Sequence, residues 1–146
     1  MRRDGGGEED MRVRDLMTEQ VVVIGHSDDL KVAEDIMRWK HVRHLPVVDD
    51  DGRLIGLITH RDLLRACVSS IADISRKEQD TLLRGIPVRS IMRTEMFTVE
   101  PDSDLRLAAE TMLENKIGCV LAVEGEKLVG ILTEADFVRY LLELLK

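Results

Sequence analysis

Two short stretches of the chain combine residue types that could hold a phosphorylated sugar. Gly56-Leu57-Ile58-Thr59-His60-Arg61-Asp62 and Gly130-Ile131-Leu132-Thr133-Glu134-Ala135-Asp136 share the pattern Gly-x-x-Thr-x-x-Asp. Each starts in an apolar run and ends where a helical pattern begins, so each is read as a strand passing into a helix. The first turn of a helix presents backbone N–H groups without intrahelical partners and a partial positive charge, which suits an anion. The threonine hydroxyl can donate to a phosphate or sugar oxygen, and the aspartate one turn in can accept both hydroxyls of a ribose diol. Neighbouring aliphatic strands offer an apolar slot for a base. As a ligand site, such a carboxylate is expected to lack a protein partner until the ligand arrives. The same pattern has a plainer use, because Thr-x-x-Asp is close to a capping box with Asp in place of Glu or Gln. Its occurrence twice, each time behind a glycine-bearing strand, argues for more than a cap.

The elements that must position these residues also occur twice. Residues 13–48 lie over 88–123 at an offset of 75: Val13 on Val88, Met17 on Met92, Leu30 on Leu105, Ala33 on Ala108 and Met37 on Met112. One residue is then lost, and at an offset of 74 Leu54 falls on Leu128, Gly56 on Gly130, Thr59 on Thr133 and Asp62 on Asp136. Each copy reads as a short β-branched run (21–24 or 96–99) and then a helix with Ser27 or Asp102 as N-cap and acidic residues in its first turn. An apolar strand (45–48 or 119–123), an acidic turn, a second strand (53–58 or 127–132) and a closing helix follow. The order is β-α-β-β-α, and the class is α/β (α+β). A two- or three-stranded sheet with helices on one side cannot bury both faces alone. The two copies are therefore expected to pack with pseudo-two-fold symmetry into one module. The stretch between them, residues 69–87, is partly helical by pattern (Ile71, Ile74, Leu82, Leu83) and ends at Pro87.

These motifs resemble a known family. Val42-Arg43-His44-Leu45-Pro46-Val47-Val48-Asp49, followed by the run from Asp51 to Leu63, is similar to a CBS repeat. So are residues 88–92, Phe97-Thr98-Val99-Glu100-Pro101-Asp102 and the run from Lys127 to Asp136. The chain as a whole is similar to stand-alone CBS pairs (Bateman modules) of the acetoin-utilisation type. The resemblance divides it into a tail (1–10), CBS repeat 1 (11–68), a linker (69–87) and CBS repeat 2 (88–146). It implies a regulatory module that binds an adenosine-containing nucleotide (AMP, ADP or ATP) in the cleft between repeats. The alternatives are an S-adenosylmethionine or NAD-type ligand, or a structural homodimerisation module with degenerate sites. By resemblance, Thr59, Asp62, Thr133 and Asp136 contact phosphate and ribose, and a basic residue before the Leu-Pro-Val strand reaches phosphate. Arg43 and His44 hold that place in copy one, and Gly118 and Cys119 hold it in copy two, where Leu121 also replaces the proline. Copy two has Glu134-Ala135 where copy one has His60-Arg61, so the two sites are not expected to be equivalent. The family habit of pairing modules into a disc implies a homodimer.

Composition narrows the remaining options. The formal net charge of −7 speaks against nucleic acid as a partner, which needs a basic face to neutralise phosphates. Aromatic residues make up only 3% of the chain, so the core must be aliphatic. Met17, Met37, Met92 and Met112 read as core filling, with Met17 and Met92 also candidates to border a base. Cys67 and Cys119 read as small core residues of a reduced, cytoplasmic protein rather than a disulfide framework or zinc site. His41 and His44 lack a Cys or carboxylate at ligand spacing, and Asp49-Asp50-Asp51-Gly52 lacks the later ligands of a calcium loop, so no metal is expected. No stretch approaches the ~20 apolar residues of a membrane span, and the glycine-rich, charged opening, residues 1–10, reads as a disordered tail. No nucleophile–base arrangement is visible, so no enzyme activity and no required cofactor are expected. The regulated partner protein is not readable from the residues. The very apolar run over residues 137–145 reads as a dimer-forming helix.

Overall fold

The computed structural model describes residues 10–68 and 75–146, without the side chain of Val68. The expected tail, apart from Asp10, and Ile71 and Ile74 lie outside the described residues. In chain order the elements are α1 (Val13–Leu16), β1 (Ile24–Gly25), α2 (Leu30–Lys40), β2 (His44–Val48), β3 (Leu54–Thr59), α3 (His60–Val68), α4 (Arg76–Arg84), β4 (Thr98–Val99), α5 (Leu105–Asn115), β5 (Cys119–Glu124), β6 (Lys127–Thr133) and α6 (Glu134–Leu144). A 3-10 turn covers Val88–Ser90. Among the described residues no helix is long and apolar enough to cross a membrane.

The elements form two compact units. One is Val22–Met96; the other joins the chain up to Val21 with Phe97–Lys146. Each holds a three-stranded mixed sheet, in the order β1-β2-β3 or β4-β5-β6. The central strand runs parallel to the first and antiparallel to the third, with His44 opposite Thr59 and Cys119 opposite Thr133. Apolar residues at helical spacing, Leu30, Ala33 and Met37 on α2 and Leu105, Ala108 and Met112 on α5, close one face of each sheet. Leu45, Val47 and Ile58 meet the first set, and Val120, Ala122 and Leu132 the second.

The helix starts differ from those expected. Asp29 rather than Ser27 caps α2, its Oδ1 accepting from Val32 N at 3.0 Å, and Asp104 rather than Asp102 caps α5. The two preceding residues are spent on a tight turn, in which the Asp28 carboxylate accepts from Gly25 N and the Ser103 hydroxyl from Glu100 N. Both helices end on a residue in the left-handed region, His41 and Lys116, each at φ 55°.

The repeats exchange their opening segments. In the Val22–Met96 unit, Leu30 N donates to Ile86 O at 2.9 Å, Val88 N to Asp28 O at 2.7 Å, and Arg93 pairs with Leu57 in both directions at 2.8 and 2.9 Å. In the other unit Leu105 N donates to Met11 O, Val13 N to Ser103 O, and Thr18 pairs with Ile131. Residues 86–93 thus sit with the sheet of the first repeat, and residues 11–18 with that of the second. Each incoming segment lays a methionine over the strand glycine. A Cβ on Gly56 would stand 2.9 Å from Met92 Cγ, and one on Gly130 at the same distance from Met17 Cγ. The glycine of the Gly-x-x-Thr-x-x-Asp pattern is therefore required by close approach of a side chain.

Candidate functional site

Each Thr-x-x-Asp element stands at the junction of the third strand and the helix after it. Thr59 N donates to Asp62 Oδ2 at 3.0 Å, and Asp62 N donates to Thr59 Oγ1 at 3.2 Å. This is a reciprocal capping box closed by a carboxylate shorter than the usual Glu or Gln. The second element repeats it: Thr133 N donates to Asp136 Oδ2 at 2.8 Å, and the Thr133 side chain accepts from the third helical N–H. A further backbone bond ties each junction to the residue before the central strand. His60 N donates to Arg43 O at 2.8 Å, and Glu134 N to Gly118 O at 3.2 Å. The plain reading of the motif is thus realised in both copies.

The carboxylates are not left waiting. Asp62 is 10% exposed and lies against Arg93, whose Nη2 donates to Oδ1 at 2.7 Å and whose Nε lies 3.0 Å from Oδ2. Arg65, one turn further along α3, approaches Oδ1 at 4.0 Å. Burial is the largest influence on the Asp62 carboxyl and pushes its pKa up. The hydrogen bonds from Arg93 and from Thr59 together outweigh it, and the net direction is down. The same pairing raises Arg93. Asp136 is 5% exposed, and its Oδ1 accepts from the Thr18 hydroxyl at 3.1 Å and from Arg139 Nη2 at 2.8 Å. The expectation of an unpartnered carboxylate is thereby corrected. The segment exchange brings a donor to each aspartate, because a buried carboxylate without one would be costly.

Around the first element the remaining candidates gather by register. His44, half-buried, faces Thr59 across the β2–β3 pairing, with Arg43 exposed just before it. His60 is half-buried and Arg61 exposed in the first turn of α3. Around the second element the corresponding places hold Gly118, Cys119, Glu134 and Ala135. Cys119 is buried opposite Thr133, and burial pushes its thiol up to about 12. Arg93 and Thr18 were not candidates in the sequence. Repeat alignment does set them in one column, directly after Met92 and Met17. Which carboxylate each reaches depends on the exchange of segments, which local patterning does not encode.

The CBS domain family matches residues 13–69 and 88–143. An uncharacterized protein of Methanocaldococcus jannaschii is 34% identical over 140 residues, 94% of this chain, although the chain spans only 33% of that relative's length. Among solved structures, a protein of Vibrio cholerae assigned to acetoin utilization superposes with a TM-score of 0.79 at 32% identity, over 94% of both chains. CBSX2 in complex with AMP gives 0.75 at 28% identity, covering 92% of this chain and 98% of that one. The CBS domain pair of protein MJ0100, in complex with 5′-methylthioadenosine and S-adenosyl-L-methionine, gives 0.73 at 25% identity over 90% and 99%. With two family matches spanning both β-α-β-β-α repeats and both Thr-x-x-Asp junctions, the chain belongs to the CBS domain family as a tandem pair.

Proposed function

We propose that this chain is a regulatory module whose Thr-x-x-Asp junctions bind an adenosine-containing nucleotide, AMP, ADP or ATP, without turning it over. The observation that carries the reading is the chemistry collected at the first junction. A helix start, a threonine hydroxyl and a carboxylate are joined there by Arg43, His44, His60 and Arg61 on the strand end and first helical turn. That set matches a ribose and its phosphates, and chains of the same fold are solved with AMP, S-adenosylmethionine and methylthioadenosine. Thr133 and Asp136 form the second, less cationic site.

The proposed module works as a cytoplasmic homodimer. On α6 and its C-cap, Val138, Leu141, Leu142 and Leu145 follow i, i+3, i+4, i+7 spacing and are all exposed, a stripe suited to a second copy. Ligand would act through unequal affinity for two arrangements of the pair. A dimerisation module with purely structural junctions is the second reading, favoured by the completed capping boxes. Calorimetric titration with AMP, ADP, ATP and S-adenosylmethionine separates the two. Ligand at 100 times its Kd should add roughly 2.7 kcal/mol of stability. Absence of binding to any of the four supports the structural reading.

A further inference from the structure

Arg93 and Thr18 occupy the same place in the two units. Each makes a two-way backbone pair with the residue two before the junction threonine, Leu57 or Ile131, and each turns its side chain onto the junction aspartate. The chemistry they bring is opposite. Arg93 brings a permanent positive charge in a fork, and Thr18 a neutral hydroxyl that can rotate.

The Asp62 acceptor sites are filled. Oδ2 accepts from Thr59 N and Arg93 Nε, and Oδ1 accepts from Arg93 Nη2, with Nε also 3.2 Å away. A ribose diol can donate to this carboxylate only after the guanidinium moves. Moving it gives up a bidentate ion pair, which the ligand offsets only by supplying a replacement anion. A nucleotide does so with its phosphate; a nucleoside does not. The other charges near this junction act in the same direction: Arg65 approaches Asp62 Oδ1 at 4.0 Å, Arg61 lies in the same helical turn, and the Arg43 carbonyl accepts from His60 N. At the second junction the Thr18 hydroxyl yields without leaving a charge behind. Arg139 is there as the counterpart of Arg65, donating once from the solvent side of its own helix, but Glu134 adds a second negative charge.

We infer that Arg93 is the specificity-determining residue of the first junction, restricting it to adenosine ligands that carry a phosphate. Thr18 leaves the second junction to adenosine derivatives with an uncharged or cationic 5′ substituent. The inference rests on the proposed ligand-binding function, keeps its phosphate-bearing nucleotides for the first junction and gives the second junction the uncharged or cationic derivatives instead.

The test is calorimetric titration of the full chain with AMP, adenosine and S-adenosylmethionine, on wild type, Arg93→Thr, Arg93→Lys and Thr18→Arg. The expected result for Arg93→Thr is a fall of about tenfold or more in the preference for AMP over adenosine, with Arg93→Lys keeping most of it. In Thr18→Arg the S-adenosylmethionine affinity should fall by a similar factor. A second readout needs no variant to fold: the Arg93 Nε–H signal in an arginine-selective ¹⁵N spectrum should move with AMP and stay in place with adenosine. Equal changes in AMP and adenosine affinity in Arg93→Thr, or an Arg93 signal indifferent to AMP while AMP binds, overturn the inference and leave the nucleotide-binding function standing. Wild type that binds none of the three ligands overturns both.

Discussion

Met92 lies directly over Gly56, its sulfur only 2.5 Å from where a β-carbon on that glycine would stand, and this contact joins the opening segment of the second repeat to the sheet of the first. Gly56→Ala must push Met92 aside or bend β3 away from the Arg93 carbonyl, which is 3.0 Å from the added carbon. The expected loss is about 1–3 kcal/mol in urea unfolding. Gly56→Ala combined with Met92→Ala should cost less than the sum of the single changes, because the second removes the obstacle met by the first. Strict additivity would mean that the two residues do not meet.

Asp62 should support stability without any nucleotide. It caps α3 and pairs with Arg93, so Asp62→Ala should destabilise the unliganded protein by about 0.5–2 kcal/mol. Arg93→Ala should contribute little on top of Asp62→Ala. An unliganded Asp62→Ala protein as stable as wild type would show that the pairing carries no weight in solution.

The pH dependence of that contribution has a definite sign. The Asp62 pKa is held below its ordinary value in the folded protein, so below neutrality the unfolded chain takes up the proton first. The stabilisation is complete above the usual aspartate pKa of about 3.9. It is lost as pH falls from there through the depressed folded value. Asp49, Glu78 and Asp102 shift in the same direction, so acid unfolding of wild type alone does not isolate Asp62. The difference between wild type and Asp62→Asn, followed from pH 7 to pH 2, does. A difference that grows on acidification would contradict the pairing.

Cys119 should be inert in the folded protein. At pH 8 a thiol at about 12 holds on the order of 10³-fold less thiolate than an unperturbed one, and the Cys119 side chain is also buried. Mass-spectrometric mapping after brief iodoacetamide treatment should find Cys67, which is half-buried, modified well before Cys119. Rapid labelling of Cys119 would show that β5 opens.

The apolar face of α6 gives the proposed dimer its test. Light scattering should return about twice the 16.6 kDa chain mass for wild type. Val138→Lys with Leu141→Lys should return the chain mass while keeping the helical circular dichroism. A wild-type monomer at micromolar concentration would remove the proposed interface.

Local features were legible in the sequence where one physical signal dominated. The repeat of Leu30, Ala33 and Met37 as Leu105, Ala108 and Met112 located both core helices, and glycine with threonine located both junctions. The caps shifted by two residues because Ser27 and Asp102 compete with Asp29 and Asp104 for the same role, and only the preceding turn decides between them. β1 and β4 are two residues each, too short for alternation to define. Arg93 and Thr18 were missed for a different reason. Their aspartates are 31 and 118 residues away in sequence, and nothing in a local pattern reports a pairing over that distance.

The exchange of opening segments has a consequence for how the gene can be divided. A cut between Pro87 and Val88, where the repeats part in sequence, would separate Met92 from Gly56 and Arg93 from Asp62. It would likewise separate Met17 from Gly130 and Thr18 from Asp136. Cuts beside Val22 and Met96 would instead release one uninterrupted stretch that keeps its own methionine, glycine, arginine and aspartate together. The sequence repeat and the compact unit are thus out of phase. A polypeptide carrying a single repeat could cover its strand glycine and partner its junction aspartate in this way only by borrowing the missing segment from another molecule.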